Sequence, residues 1–269
     1  MNAKLTILGS GTSTGIPILG CNCKVCHSHD VKNQRLRTSV LITTAGGKNI
    51  LVDTTPDMRT QLLRAKVSHL DAVILTHDHA DHVHGIDDLR AFCFKRNSPL
   101  PVFTYEKCAL RLKEKFPYIF NQKEFFKDRK ILGGGIPKLD LNVIQSPGTQ
   151  LIETESFEFF QLPHGYIETT GFIFNNMAYI VDCQIIPEHI VKQLKDRNLD
   201  LLVLDCNGPF PHDTHLHYDK SVEFTQRIMA KITKFIHITH DFDHHQLTQL
   251  AEKSGLQAGP CFDGEIIQI

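Results

Sequence analysis

Four metal-binding side chains fall within six residues of the segment Thr76-His77-Asp78-His79-Ala80-Asp81-His82: His77, His79, Asp81 and His82. Imidazole and carboxylate together suit zinc, iron or manganese. Two histidines two apart on an extended or tightly turned segment aim both rings at one point. Asp81 and His82 follow in other directions, so a second nearby point comes within reach. Solvated loop histidines are the plainer alternative, and the density of ligand types argues against it. His84, just past the motif, reads as a bystander.

A second constellation precedes it. Cys21, Cys23 and Cys26 place three thiols in six residues, a C-x-C-x-x-C spacing that favours a soft-ligand zinc site. Three cysteines leave tetrahedral zinc one ligand short. His27, His29, His240 and His244 are the candidates for the fourth.

The elements that must position these residues are partly legible. Lys4 to Leu8 predicts a strand, as do Ser39 to Thr43 and Asn49 to Asp53, the last two joined by a turn at Gly46-Gly47. Pro56 to Ala65 predicts a helix, with Pro56 at its first position. The compact apolar run Ala72-Val73-Ile74-Leu75 within Asp71 to Thr76 predicts a buried strand, so the histidine cluster sits at a strand's C-terminal end. Helices are expected over Gly85 to Phe94 and Glu106 to Phe116, and a loop over 127–138, which contains Gly133-Gly134-Gly135. Strands are then expected over Phe157 to Leu162, Gly171 to Asn175, Ala178 to Asp182, Asp200 to Asp205 and Lys234 to Thr239. Helices are expected over Pro187 to Arg197 and Tyr218 to Lys231. No fixed-period repeat and no Pro/Gly/Ser-rich linker divides the chain. The pattern suggests two mixed sheets covered by helices in one domain spanning 1–269.

The H-x-H-x-D-H pattern after an apolar strand resembles the metallo-β-lactamase superfamily. The opening Leu8-Gly9-Ser10-Gly11-Thr12-Ser13-Thr14-Gly15-Ile16-Pro17, the following Gly20-Cys21, and Gln34-Arg35-Leu36-Arg37-Thr38-Ser39 are similar to its PhnP-type branch, the phosphoribosyl cyclic phosphate phosphodiesterases. The resemblance is weakest from about Ser98 to Thr154. It implies an α/β, four-layer αββα sandwich and ligands from later strand ends, where His164, Asp182 and His237 occur in the expected order. His77, His79 and His164 would then hold one divalent metal, Asp81, His82 and His237 a second, with Asp182 bridging them. The two oxygens of a carboxylate can span cations about 3.5–4 Å apart. In Ile236 to His244, the H-x-[ST]-H stretch of that branch implies that His240 completes a structural zinc on Cys21, Cys23 and Cys26.

The implied activity is hydrolysis of a small phosphodiester, cyclic phosphates included. A water shared by two cations (Zn, Mn or Fe) is acidified toward neutrality and attacks phosphorus. Asp81 would help orient that water. Thr214-His215-Leu216 matches the family's T-H-L segment, so His215 is the expected general acid and His217 the alternative; with His212, all three also fit a surface loop. Arg35 and Arg37 are candidates to hold a further phosphate, although solvated surface charge is the better reading of both.

Composition narrows the field. Lys plus Arg total 29 against 30 Asp plus Glu, which speaks against nucleic acid or anionic membrane as a partner. No apolar run reaches membrane-spanning length and no basic-then-apolar leader opens the chain, so a reducing cytoplasm is expected. A homodimer is left open. Gly9, Gly11 and Gly15 miss the dinucleotide fingerprint G-x-G-x-x-G by one residue. Three rivals stand beside the phosphodiesterase. A thiolester or lactone hydrolase would carry T-P-G-H where this chain has Leu162-Pro163-His164-Gly165. A transfer-RNA-processing endonuclease would want a basic surface and a long gripping arm. A non-catalytic metal-stabilised binding protein would be expected to have lost a ligand.

Overall fold

The computed structural model describes residues 2–94, 96–127 and 135–269. Two seven-stranded sheets account for the strands among them. The first runs, in spatial order, β14 (Ile266–Gln268), β1 (Lys4–Gly9), β2 (Ser39–Thr43), β3 (Asn49–Val52), β4 (Ala72–Ile74), β5 (Leu100–Thr104) and β6 (Leu139–Val143). The second runs β13 (Ala258–Pro260), β12 (Ile232–Ile236), β11 (Leu201–Asp205), β10 (Met177–Ile180), β9 (Ile167–Phe174), β8 (Glu155–His164) and β7 (Gly148–Ile152). Both sheets are mixed in the same way. Pairing is antiparallel from β14 through β3 and from β7 through β10, then parallel onward to β6 and to β13.

Side-chain alternation explains why the sheets stack. Along β10 and β11, Met177, Tyr179, Leu201 and Val203 join the core shared with Leu5, Ile7, Ile42 and Ile50 of the first sheet. Their neighbours Ala178, Ile180, Leu202 and Leu204 face the opposite way, into a second core. A strand buried on both faces must be apolar at every position, and β11 is Leu-Leu-Val-Leu before its terminal Asp205. The second core is closed by α7 (Glu188–Asp196), α8 (Tyr218–Ile228) and α9 (His244–Lys253), through Ile190, Leu194, Phe224, Ile228, Leu247 and Ala251. Five of the remaining helices follow strands of the first sheet: α1 (Met58–Arg64), α2 (Ala80–Val83), α3 (Arg90–Cys93), α4 (Glu106–Lys115) and α5 (Pro117–Phe120). A short α6 (Gln122–Phe125) comes next. The arrangement is the expected αββα sandwich. No helix among the described residues is long and apolar enough to cross a membrane.

Several boundaries differ from expectation for identifiable reasons. Pro56 lies in a turn, not in α1: Met58 N–H donates to the Thr55 carbonyl and Asp57 N–H to Thr55 Oγ1, so the helix starts two residues later. The helix α8 stops at Ile228 because Met229 adopts φ 61°, a left-handed cap. The strand β12 ends at Ile236, so His237 lies just beyond it rather than inside it. Of the loop expected over 127–138, residues 128–134 lie outside the described residues, and 135–138 form no regular element.

Candidate metal centre

The predicted ligands converge from separate strand ends at one edge of the sandwich. His77 to His82 follow β4 and enter α2, His164 ends β8, Asp182 follows β10, and His237 follows β12. Their metal-binding atoms fall into overlapping groups: His77 with His79 and His164; Asp81 with His82 and His237; and His77 with His82 and Asp182. His164 Nε2 is 3.1 Å from His79 Nδ1. Asp182 lies between the groups, with Oδ2 2.8 Å from His82 Nε2 and Oδ1 3.1 Å from His237 Nε2. All seven expected side chains are therefore brought together.

The ring nitrogens facing away from the cluster are held by the protein. His82 Nδ1 is 2.8 Å from Asp53 Oδ2, and Asp53 also accepts from Thr76 N–H and Thr76 Oγ1. His77 Nδ1 is 3.0 Å from Thr76 Oγ1, and His164 Nδ1 is 2.9 Å from the Thr214 carbonyl. Asn207 and Asp205 lie at His237 Nδ1, at 3.1 and 3.7 Å. A ring tethered at one nitrogen presents the other in a fixed direction.

Two tests ask whether these residues suit metal. The first is hydrogen bonding. His77 Nε2 is buried without a hydrogen-bond partner, and His237 Nε2 and Asp182 Oδ2 make no well-aligned hydrogen bond, meeting only other ligand atoms at 3.1 and 2.8 Å. Orphaned buried polar atoms cost roughly 1–3 kcal/mol each, and a cation would engage all three. The second is charge. Burial, reinforced by His82, pushes His77 well below the ordinary imidazole value; burial also lowers His237, and His79, the more exposed ring, is lowered by partial burial and by His164. Burial opposes charge on Asp81 and Asp182 too, but nearby histidines, His82 foremost at Asp81 and His237 at Asp182, hold both low, Asp81 at about 2. Neutral imidazoles beside ionised carboxylates are what a divalent cation requires. His82 alone is driven well upward, against its burial, by Asp182, Asp81 and Asp53. It would give up a proton on binding metal.

Three of the eight non-glycine residues with positive φ among the described residues fall at this site. Asp53, Asp182 and His237 adopt φ of 64°, 54° and 62°, in the left-handed region. Such residues cost on the order of 1–3 kcal/mol and persist where surrounding contacts over-determine them. Each turns the chain sharply as it leaves a strand, which swings the side chain onto the edge of the sandwich.

His215 is also drawn in. Its Nδ1 lies 3.2 Å from both Asp205 Oδ2 and Asp182 Oδ1, and its ring stacks 4.7 Å from that of His237. Burial disfavours its charge, but Asp205 and Asp182 outweigh it and raise the imidazole to about 9. His217 instead precedes α8 as its N-terminal cap, and His212 is exposed. Two carboxylates escaped the sequence reading: Asp205, which groups with Asp182, His215 and His237, and Asp53. Each comes directly after an apolar run, Ile50-Leu51-Val52 before Asp53 and Leu201 to Leu204 before Asp205, the one signal that marked them. A cavity of about 670 Å³ lined by Glu158, Met177, Arg197 and Asp200 contains none of these residues. Unpaired ligand atoms locate the chemistry where cavity size does not.

The cysteine cluster closes as well. Cys21, Cys23 and Cys26 Sγ lie 3.3, 3.5 and 3.5 Å from His240 Nδ1. Among the described residues, His27, His29 and His244 do not join this group. The basic pair corrects the expectation. Arg35 is wholly buried, donating to the carbonyls of Thr239 and Phe242 and to Asn33 Oδ1, so it is neither surface charge nor phosphate ligand. Arg37 is committed to Asp57, with Nη1 3.0 Å from Oδ1.

Comparison with known proteins agrees with this geometry. The beta-lactamase superfamily domain matches residues 48–238. The crystal structure of a diphosphatase from the PhnP family superposes with a TM-score of 0.88 at 34% identity, covering 100% of this chain and 98% of that one. Zn(2+)-bound PqqB from Methylobacterium extorquens shares the fold, at a TM-score of 0.79 and 17% identity over 99% of this chain and 100% of that one. An octanoyltransferase of Porphyromonas gingivalis is 33% identical over 243 residues, 90% of this chain but 47% of that protein. The chain thus spans less than half the length of that curated relative. It belongs to the metallo-β-lactamase superfamily, whose fold implies that it binds divalent metal.

Proposed function

We propose that this chain is a metal-dependent phosphodiesterase acting on a small phosphodiester, cyclic phosphates and diphosphate diesters included. The observation that carries this reading is Asp182: a buried carboxylate set between two groups of histidines, with His215 3.2 Å from the oxygen that also faces His237. His77, His79 and His164 would hold one cation, Asp81, His82 and His237 a second, and Asp182 would bridge them. The donor set accepts zinc, manganese or iron. Cys21, Cys23, Cys26 and His240 would hold a structural zinc. When bound, the paired cations supply an acidified water and a counter-charge for the oxygens on phosphorus.

The chain's own residues do the rest. Asp53, Thr76 and the Thr214 carbonyl orient ligand imidazoles, and Asp81 helps orient the attacking water. Asp205 fixes His215 through Nδ1, which leaves Nε2 to give a proton to the departing oxygen. A histidine raised to about 9 carries that proton at neutral pH. The similarity to a PhnP-family diphosphatase supports phosphorus as the centre attacked.

A leaving-group series tests this reading. His215→Asn should lower kcat by about 10²–10⁴ on alkyl phosphodiesters, whose alkoxide must be protonated, and far less on p-nitrophenyl esters, whose phenolate leaves unaided. Wild-type activity on alkyl esters should fall on the alkaline side of the profile, where His215, held above its ordinary value by Asp205, loses its proton. Equal losses on both ester types would remove His215 from the acid role. A second reading, hydrolysis of an acyl ester, is favoured by the octanoyltransferase relative. Turnover of an octanoyl thiolester with no turnover of any phosphodiester would select it.

A further inference from the structure

Asp78 stands between His77 and His79, is 3% exposed, and belongs to none of the ligand groups found among the described residues. Its carboxylate is taken from the other side by α4. Arg111 Nη1 lies 3.1 Å from Oδ1, and Lys115 Nζ lies 2.5 Å from Oδ2 while also donating to the Asp78 carbonyl. Arg111 and Lys115 are four residues apart and so share one face of the helix. The helix is itself seated by Cys108, Ala109 and Leu112, all buried.

The contacts along the segment show what this clamp does. Upstream, Leu75 N–H donates to Phe103, Thr104 Oγ1 donates to Leu75, Thr76 N–H donates to Asp53, and Thr170 N–H donates to Thr76. Downstream, α2 begins, with His82 N–H donating to the His79 carbonyl. The stretch carrying His77 and His79 spans the interval between these anchors. His77 has Thr76 Oγ1 at its Nδ1, whereas the His79 ring is exposed. Asp78 ties the middle of that stretch to α4 through side chain and backbone together.

We propose that Asp78, clamped by Arg111 and Lys115, is a positioning residue that sets the aim of His79 and His77 toward the cation they share with His164. This rests on the reading that these three histidines hold a metal. The effect is local, because Asp81 and His82 are held independently, by α2 and by Asp53.

The test is cobalt(II) titration of the metal-free full chain, followed by visible absorption and by stoichiometry, with His164→Ala identifying the phase that belongs to this cation. Asp78→Asn and the double variant Arg111→Met/Lys115→Met should weaken that phase about 10–100-fold, the range for losing a group that orients a ligand. The phase assigned to Asp81, His82 and His237 should stay within about twofold, and Arg111→Lys should restore much of a loss seen in Arg111→Met. The double variant lies on a partly exposed helix face, so the test survives if Asp78→Asn folds poorly. Wild-type affinities in the double variant would overturn the proposal. So would equal weakening of both phases, which marks general loosening. A wild-type chain with no cobalt at these histidines would instead overturn the metal reading beneath it.

Discussion

Replacing Asp53 by Asn changes one atom and isolates what a carboxylate behind a ligand histidine contributes. Asp53 is fully buried and accepts three hydrogen bonds: from Thr76 N–H at 2.8 Å, Thr76 Oγ1 at 2.9 Å and His82 Nδ1–H at 2.8 Å. Asparagine can keep one oxygen, and Thr76 N–H, which can only donate, claims it. The amide NH₂ then faces His82 Nδ1 and donates to it, so the imidazole proton must move to Nε2. That nitrogen is the one pointing at Asp81 and Asp182, and protonating it removes the lone pair a metal needs. Loss of such an orienting partner typically costs about 10–100-fold in metal affinity, or about 1.4–2.8 kcal/mol. The metal-free fold should lose stability too, since Asp53 also pairs the raised His82, and removing one partner of a buried pair is destabilising. Calorimetric titration of the metal-free protein should show the second cation weakened by this factor, with the cation assigned to His77, His79 and His164 within about twofold of wild type. Unchanged affinity for both cations would refute the tautomer argument. Equal weakening of both cations would refute its locality.

Three further outcomes follow from the same geometry. A Cβ on Gly85 would lie 2.0 Å from the Thr55 carbonyl oxygen, a backbone atom that cannot yield cheaply, so Gly85→Ala should shift α2 and destabilise the protein by roughly 1–3 kcal/mol, measured by urea unfolding. His244 is held down to about 4 by burial, with Lys32 and Arg35 adding to it. Below its ordinary value of about 6.5 the unfolded chain binds the proton first, so stability is full above that pH and declines as pH falls toward 4. His244→Gln should flatten that part of the pH–stability curve. For the cysteine cluster, Cys23→Ser should remove one zinc per chain by elemental analysis and lower Tm, while cations at the histidine centre remain.

Much of the site was legible because metal-binding side chains are dense only when chemistry or structure requires them. His77, His79, Asp81 and His82 announced themselves by spacing. His164, Asp182 and His237 were individually unremarkable and became readable only through resemblance to a known family. Asp53 and Asp205 stayed hidden, since one carboxylate after an apolar strand has no pattern around it. Arg35 was misread as surface charge because its partners, Thr239 and Phe242, lie about two hundred residues away. The inner strands were plain from their unbroken apolar runs. Strand β7 was not, because it lies at an edge with alternate residues half exposed and carries a weak hydrophobic rhythm. Helix α9 was obscured by its opening His244, read as a ligand candidate rather than as the first residue of a turn capped by Asp243.

Asp182 between the two groups of histidines is the centre of the account, and metal content measured beside hydrolysis of bis(p-nitrophenyl) phosphate tests it most directly. Wild type should carry about three metals per chain and cleave the diester. Asp182→Ala should lose the cations of the histidine centre and the activity together, keeping only the zinc of the cysteine cluster. Full metal content in Asp182→Ala, or a wild type that carries one metal and leaves the diester untouched, would contradict it.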